Sequence, residues 1–200
     1  MSTDKVGLFG GSFDPVHNAH LALAYAALAA LKLDHLRWIP AGQPWQKSGS
    51  AMSPAEHREA MVRLAIAAEP RFVLDRIEIE RPGPSYTLDT VRELTAAHPG
   101  TQWFLILGHD QYAGLHTWGG WRELLGLVTL AVANRPGAQD HIDPAVRAFQ
   151  AQVVPLPMLD VSATVVRQAV ASGADISKLV PAQVARYIEI HGLYRGPIRS

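Results

Sequence analysis

Apolar positions along this chain fall into two kinds of run that alternate. Val6–Phe9, Leu36–Ile39, Gln102–Leu107 and Val128–Ala133 are short and largely apolar, the pattern of strands buried on both faces of a parallel sheet. Phe72–Leu74 and Ile77–Ile79 are also strand-like, with Asp75 and Arg76 between them, and Val153-Val154 is a further short strand. Longer stretches lie between these runs. Leu21–Leu31 is built from Ala and Leu without Gly or Pro, which favours a helix. Ser53-Pro54-Ala55-Glu56 reads as a capping box with Pro at the first helical position, opening a helix to about Ala68. Further helices are predicted over Leu88–Ala97, Gln111–Leu115, Trp121–Leu125 and Pro144–Gln152. Ser162 caps a helix from Ala163 that Gly173 stops, and Pro181 opens a last helix that Gly192 ends. Strands alternating with helices predict an α/β fold, a doubly wound parallel sheet with a small C-terminal helical part, over one domain from 1 to 200.

The stretch Gly10-Gly11-Ser12-Phe13-Asp14-Pro15-Val16-His17-Asn18-Ala19-His20 joins the first strand to the first helix. Gly10 and Gly11 allow the backbone to approach a ligand closely. Asn18 is a good N-cap residue, and the first-turn N–H groups and dipole of the helix favour an anion. His17 and His20, three apart, share one surface. The combination describes a phosphate site with imidazole donors. A plain Gly-rich turn is the blander reading. A zinc site fits poorly, because the chain has no Cys and no third ligand stands nearby. The third Gly of a dinucleotide fingerprint is missing, and no G-K-[ST] follows as in a P-loop.

Three other strand exits carry chemistry. Lys47 stands in the loop from Ala41 to Ser50; taken without context, an ordinary exposed lysine is the favoured reading. Gly108-His109-Asp110 ends an apolar strand, with a carboxylate suited to a ribose diol. Ser162-Ala163-Thr164-Val165-Val166-Arg167 opens a helix with hydroxyls and places a guanidinium one turn on, a second candidate anion site or simply a capped surface helix.

Composition narrows the classes. The chain has 200 residues, of which 48% are apolar, enough for a sizeable core. Eighteen basic residues balance 18 acidic ones, so nothing points to a nucleic-acid or membrane surface. Without Cys there is no disulfide and no thiolate chemistry. No signal-peptide pattern opens the chain, and Leu21–Leu31 is too short to span a bilayer, so a cytoplasmic protein is expected.

The stretch Gly10–His20 resembles the G-[ST]-F-D-P-x-H-x-G-H signature of the nucleotidylyltransferase superfamily, with Ala19 in place of a Gly. Ser162–Arg167 resembles the superfamily's second motif, [ST]-[ST/A]-T-x-[IV]-R. Pro84-Ser85-Tyr86-Thr87, Gly108-His109-Asp110, Thr117-Trp118, Arg135-Pro136-Gly137 and the closing Tyr187-Ile188 to Gly192-Leu193-Tyr194 resemble one branch, the bacterial nicotinate-nucleotide adenylyltransferases. In Pro44-Trp45-Gln46-Lys47 the lysine is kept, while Gln46 stands where the family has His.

The resemblance implies a Rossmann-like nucleotidylyltransferase fold and a reaction. The phosphate of nicotinate mononucleotide attacks the α-phosphorus of ATP in line, giving nicotinate adenine dinucleotide and pyrophosphate. An ionised phosphate needs no general base, so catalysis is positioning and charge stabilisation. The resemblance implies that His17, His20, Lys47 and Arg167 serve the phosphates. It assigns Gly10, Gly11, Ser12, Phe13, Gly108, Asp110, Ser162 and Thr164 to ATP, and Tyr86, Thr87, Trp118 and Arg135 to the mononucleotide. Mg²⁺ arrives with ATP, and a homo-oligomer is allowed. Trp45 and Trp121 have only packing to do. The alternatives are a relative acting on nicotinamide mononucleotide or phosphopantetheine, and a non-catalytic nucleotide sensor on the same fold.

Overall fold

Neighbouring residues of the first strand, Lys5–Gly11 (β1), enter different cores: Val6 and Leu8 point to one, Phe9 to the other. Gln102–Leu107 (β6) does the same, with Trp103, Leu105 and Leu107 opposite Phe104 and Ile106. A strand with two apolar faces must be covered on both, and helices cover it. The structure, a computed structural model, describes residues 3–44, 52–133, 142–156 and 159–196.

The remaining strands of the main sheet are His35–Pro40 (β2), Phe72–Leu74 (β4), Thr129–Ala133 (β7) and Gln152–Val154 (β8). All pairings are parallel, in the order β4-β2-β1-β6-β7-β8. Gln43–Pro44 (β3) pairs with Pro84–Ser85 (β5) in a separate short ribbon. One face of the sheet packs against Asn18–Leu31 (α1), Ala55–Ile66 (α2), Ala163–Ala171 (α8) and Ala182–Ile190 (α9). The other packs against Thr87–Ala97 (α4), Trp121–Leu127 (α6) and Pro144–Arg147 (α7), with Trp121 buried there as a packing residue. Ile77–Glu80 (α3) and His109–Ala113 (α5) are short connecting helices. From β1 the chain runs outward through β2 and β4, then returns to β6 and runs outward the other way. The carboxyl ends of β1 and β6 therefore flank the crevice where ligands bind in such sheets. No helix among the described residues is long and apolar enough to cross a membrane.

Several local expectations are corrected. Ile77–Ile79 is not a strand: it begins helix α3. The Ile-Glu-Ile alternation mimics a period of two, but Asp75 Oδ1 accepts the Ile77 N–H at 3.0 Å and turns the chain. The helix predicted over Pro144–Gln152 stops at Arg147, and Gln152 already belongs to β8. Ser53 does not cap α2; Pro54 holds that position. The Ser53 backbone is engaged elsewhere, its N–H with Asp14 and its carbonyl with Arg58. Asn18 is likewise the first residue of α1 and not its cap, which is His17. Asn18 ties the helix to a distant loop: its N–H donates to the Leu179 carbonyl at 2.9 Å and its side-chain amide to the Lys178 carbonyl at 3.0 Å. That N–H is therefore not one of the donors offered to an anion.

Candidate active site

The turn leaving β1 is held by its own aromatic residues. Phe13 is 1% exposed and adopts the left-handed backbone, φ +47°. This conformation is disfavoured for a residue with a side chain, and packing pins it. The Phe13 ring meets those of Phe9 at 5.5 Å, Trp38 at 5.3 Å and His20 at 5.0 Å. Gly11 leaves room for this packing: a Cβ there would lie 3.1 Å from the Phe13 ring, a tight contact that the ring would have to give way to. The two histidines follow at the start of α1. Their rings stack with centroids 3.6 Å apart, and the His17 N–H donates to His20 Nδ1 at 3.2 Å. Phe9 and Phe13 present edges to the His20 ring, so its orientation is fixed by packing on one side and by His17 on the other. His17 is buried, and burial lowers its pKa from the ordinary 6.5 to about 4. It is neutral at pH 7 and has one N–H to give.

A cleft of about 450 Å³ opens above this turn, within the size range of small-molecule sites. Gly10, Gly11, Ser12, Phe13, His17 and His20 line it from β1 and α1, Gly108 and Asp110 from the end of β6, and Ser162 from the start of α8. His109 and Ala163 also face it. Ser162 caps α8 as expected, its Oγ accepting the Val165 N–H at 3.2 Å. Thr164 and Arg167 stand on the first turns of α8, and Arg167 reaches back to the signature turn. Its Nη1 donates to the Asp14 carbonyl at 2.8 Å and its Nη2 to Thr164 Oγ1 at 3.3 Å.

Tyr86, Thr87 and Trp118 do not line this cleft. Tyr86 and Thr87 start α4, with Tyr86 39% exposed. Trp118 packs against the core on the α4–α6 face. Gly120, two residues beyond Trp118, lies directly on the Leu88 side chain, so the three residues share one neighbourhood at the N-terminal end of α4. Lys47, Arg135, Trp45 and Gln46 lie outside the described residues.

Beneath the turn is a polar framework centred on Arg58, a residue that motif reading does not single out. Arg58 is 1% exposed and donates Nε to the Ser53 carbonyl at 3.0 Å, Nη1 to Ser12 at 3.0 Å and Nη2 to Gly42 at 3.2 Å. Burial holds its pKa below the usual guanidinium value, with the Asp14 charge acting in the opposite sense. Asp14 is 4% exposed; its Oδ1 accepts from the Tyr194 hydroxyl at 2.6 Å and its Oδ2 from the Ser53 N–H at 3.2 Å. The signal for Arg58 is in the sequence: it falls on the same helical stripe as Met61, Val62 and Ile66, where a charge needs partners.

Residues 8–169 match the profile of the family described as Cytidylyltransferase-like. The chain is 49% identical to a probable nicotinate-nucleotide adenylyltransferase of Methylibium petroleiphilum, over 96% of this chain and 93% of that one. It is 47% identical to a protein of the same description from Bordetella petrii, over 96% and 99% of the two chains. The chain belongs to the nicotinate-nucleotide adenylyltransferases of the cytidylyltransferase-like family. The fold agrees with that of other adenylyltransferases. A Plasmodium falciparum nicotinic acid mononucleotide adenylyltransferase, solved in complex with NaAD, superposes with a TM-score of 0.80 at 18% identity, covering 98% of this chain and 100% of that one.

Proposed function

We propose that this protein transfers the adenylyl group of ATP to nicotinate mononucleotide, releasing pyrophosphate and forming nicotinate adenine dinucleotide, with all the machinery in one domain. The observation that carries the reading is the stacked His17–His20 pair at the β1–β6 switch point, facing the same cleft as Asp110 and Ser162. The family relationship supplies the substrates.

The chemistry follows from the donors. The acceptor phosphate is ionised at neutral pH and attacks the α-phosphorus without a base; pyrophosphate leaves opposite. His20, held by two phenylalanine edges and by His17, donates to the oxygens on which charge grows. Neutral His17 adds one N–H. The backbone of Gly10–Phe13 tracks the phosphates, and Ser162 and Thr164 contribute hydroxyls at the α8 N-terminus. The planar fork of Arg167 and the Lys47 ammonium grip the pyrophosphoryl oxygens. Asp110 accepts from the adenosine ribose beside Gly108. Trp118 stacks on the pyridine ring, bordered by Tyr86 and Thr87, with Arg135 on the mononucleotide.

Adenylyl transfer from ATP generally uses a divalent metal, and we assign Mg²⁺. No group of three or more His, Cys, Asp or Glu among the described residues forms a protein cage for a metal. Mg²⁺ arriving with ATP would be carried by triphosphate oxygens and water. Bound there, it would supply charge neutralisation on the leaving pyrophosphate.

Pyrophosphate release, measured with ATP, Mg²⁺ and nicotinate mononucleotide, nicotinamide mononucleotide or phosphopantetheine in turn, tests the proposal. The nicotinate compound should give the highest kcat/KM. A preference for either other acceptor replaces the assignment, and no turnover with any of them turns the protein into a nucleotide sensor.

A further inference from the structure

We propose that Tyr194 is a positioning residue for Arg167, acting through Asp14. The inference rests on the reading that Arg167 grips the phosphates. Arg167 is anchored by its Nη1 bond of 2.8 Å to the main-chain carbonyl of Asp14, so the guanidinium can be no better placed than that carbonyl. Asp14 lies between the phosphate turn and α1, and its position is set by its side chain. The Tyr194 hydroxyl donates to Oδ1 at 2.6 Å, a short charge-assisted bond, and the Ser53 N–H donates to Oδ2 at 3.2 Å. A carboxylate that is 4% exposed and held at both oxygens has little freedom to rotate, and the main chain that carries it is fixed with it.

Two features show that Tyr194 is held for this contact. It lies beyond the end of α9 in the left-handed backbone conformation, φ +63°, which a residue with a Cβ adopts only when something compensates. Its phenol is also an obligate donor. Burial, then the Asp14 charge and hydrogen bond, raise its pKa far above the ordinary value, so the proton stays on the hydroxyl at any pH where the protein works. The Arg167 charge acts on the same phenol in the opposite sense, which places all three groups in one electrostatic neighbourhood.

The test is a double-mutant cycle in the full-length protein, assayed by pyrophosphate release well below the melting temperature. Tyr194→Phe removes the hydroxyl and keeps the ring. It should lower kcat roughly ten-fold, as a displaced phosphate ligand does, and leave the KM for the mononucleotide unchanged. In an Arg167→Ala background the same change should have no further effect, because the group it positions is gone. Asp14→Asn, which exchanges one acceptor oxygen for an amide, should lower kcat in the same direction and keeps the cycle readable should Tyr194→Phe fold poorly. Effects that multiply in the double variant would overturn the link while leaving Arg167 in its role. A fully active Arg167→Ala would remove Arg167 from the proposed function, and the link with it.

Discussion

The His17 and His20 rings lie face to face, 3.6 Å between centroids and 20° from parallel, at the first turn of α1. Two protonated imidazoles could not share that spacing without strong repulsion, so the stack depends on at least one of them being neutral. Burial makes His17 that one.

A pH dependence of stability follows. The His17 pKa falls from 6.5 in the unfolded chain to about 4 in the folded one. Between these values the unfolded state binds the extra proton, so stability drops as pH falls from 6.5 towards 4 and is fully restored above 6.5. The loss at the acid end is about 3 kcal/mol. Denaturant titrations from pH 4 to 7 should show this slope in the wild type and a flatter profile in His17→Asn. Equal slopes would assign the effect to other groups.

If His20 donates to charge that develops during the reaction, as proposed, His20→Ala removes that donor. Its kcat should fall by roughly 10²-fold or more, while the KM for ATP changes much less. Steady-state kinetics decide this, and near-normal turnover would exclude His20 from the chemistry.

Arg58 is the keystone of the polar framework. Arg58→Met leaves three carbonyls, on Ser12, Gly42 and Ser53, without this donor and removes one of the cations near the Asp14 carboxylate. The expected cost is about 3–5 kcal/mol. Arg58→Lys keeps the charge, but its single ammonium cannot span the three carbonyls, so it should recover only part of the loss. Urea unfolding measures both variants. A midpoint for Arg58→Met close to that of the wild type would show that water replaces the guanidinium.

Trp118 stands apart from the cleft, half-buried against the α4–α6 core. If its exposed face stacks on the pyridine ring, Trp118→Ala should raise the mononucleotide KM roughly ten-fold, as the loss of about 1–2 kcal/mol would. The KM for ATP should barely move. Saturation curves for each substrate separate the two, and a selective loss of ATP affinity would put the acceptor pocket elsewhere.

The parts of the fold that were legible in sequence are those whose signal is local. β6 is legible to the residue, since five consecutive apolar positions from Trp103 to Leu107 make a run too short for a helix, and the Ser162 cap marks the start of α8. The Ile77–Ile79 error shows a short alternation losing to a side chain two residues upstream: Asp75 decides that turn. Ser53 and Asn18 failed as caps for a shared reason. Each has the right chemistry for a cap, but it is engaged by groups that lie outside the cap pattern: the Ser53 backbone by Asp14, 39 residues earlier, and by Arg58 on the helix itself, and Asn18 by the 178–179 loop. The motif residues that meet in the cleft carry a local signal, residue types suited to phosphate at a strand exit or a helix start. Asp14 and Tyr194 stand in motif segments and Arg58 on an apolar helical stripe, but the bonds that join them into one framework run to backbone carbonyls or across 180 positions, and no local pattern records that pairing.

The bond from Tyr194 to Asp14 also has a meaning in time. The turn after β1 leaves the ribosome before the hydroxyl that bonds to it, which is made 180 residues later. Every stretch that builds the crevice has been synthesised before that last contact can close. A chain that stops short of Tyr194 therefore holds the His17–His20 turn without the bond that closes on Asp14.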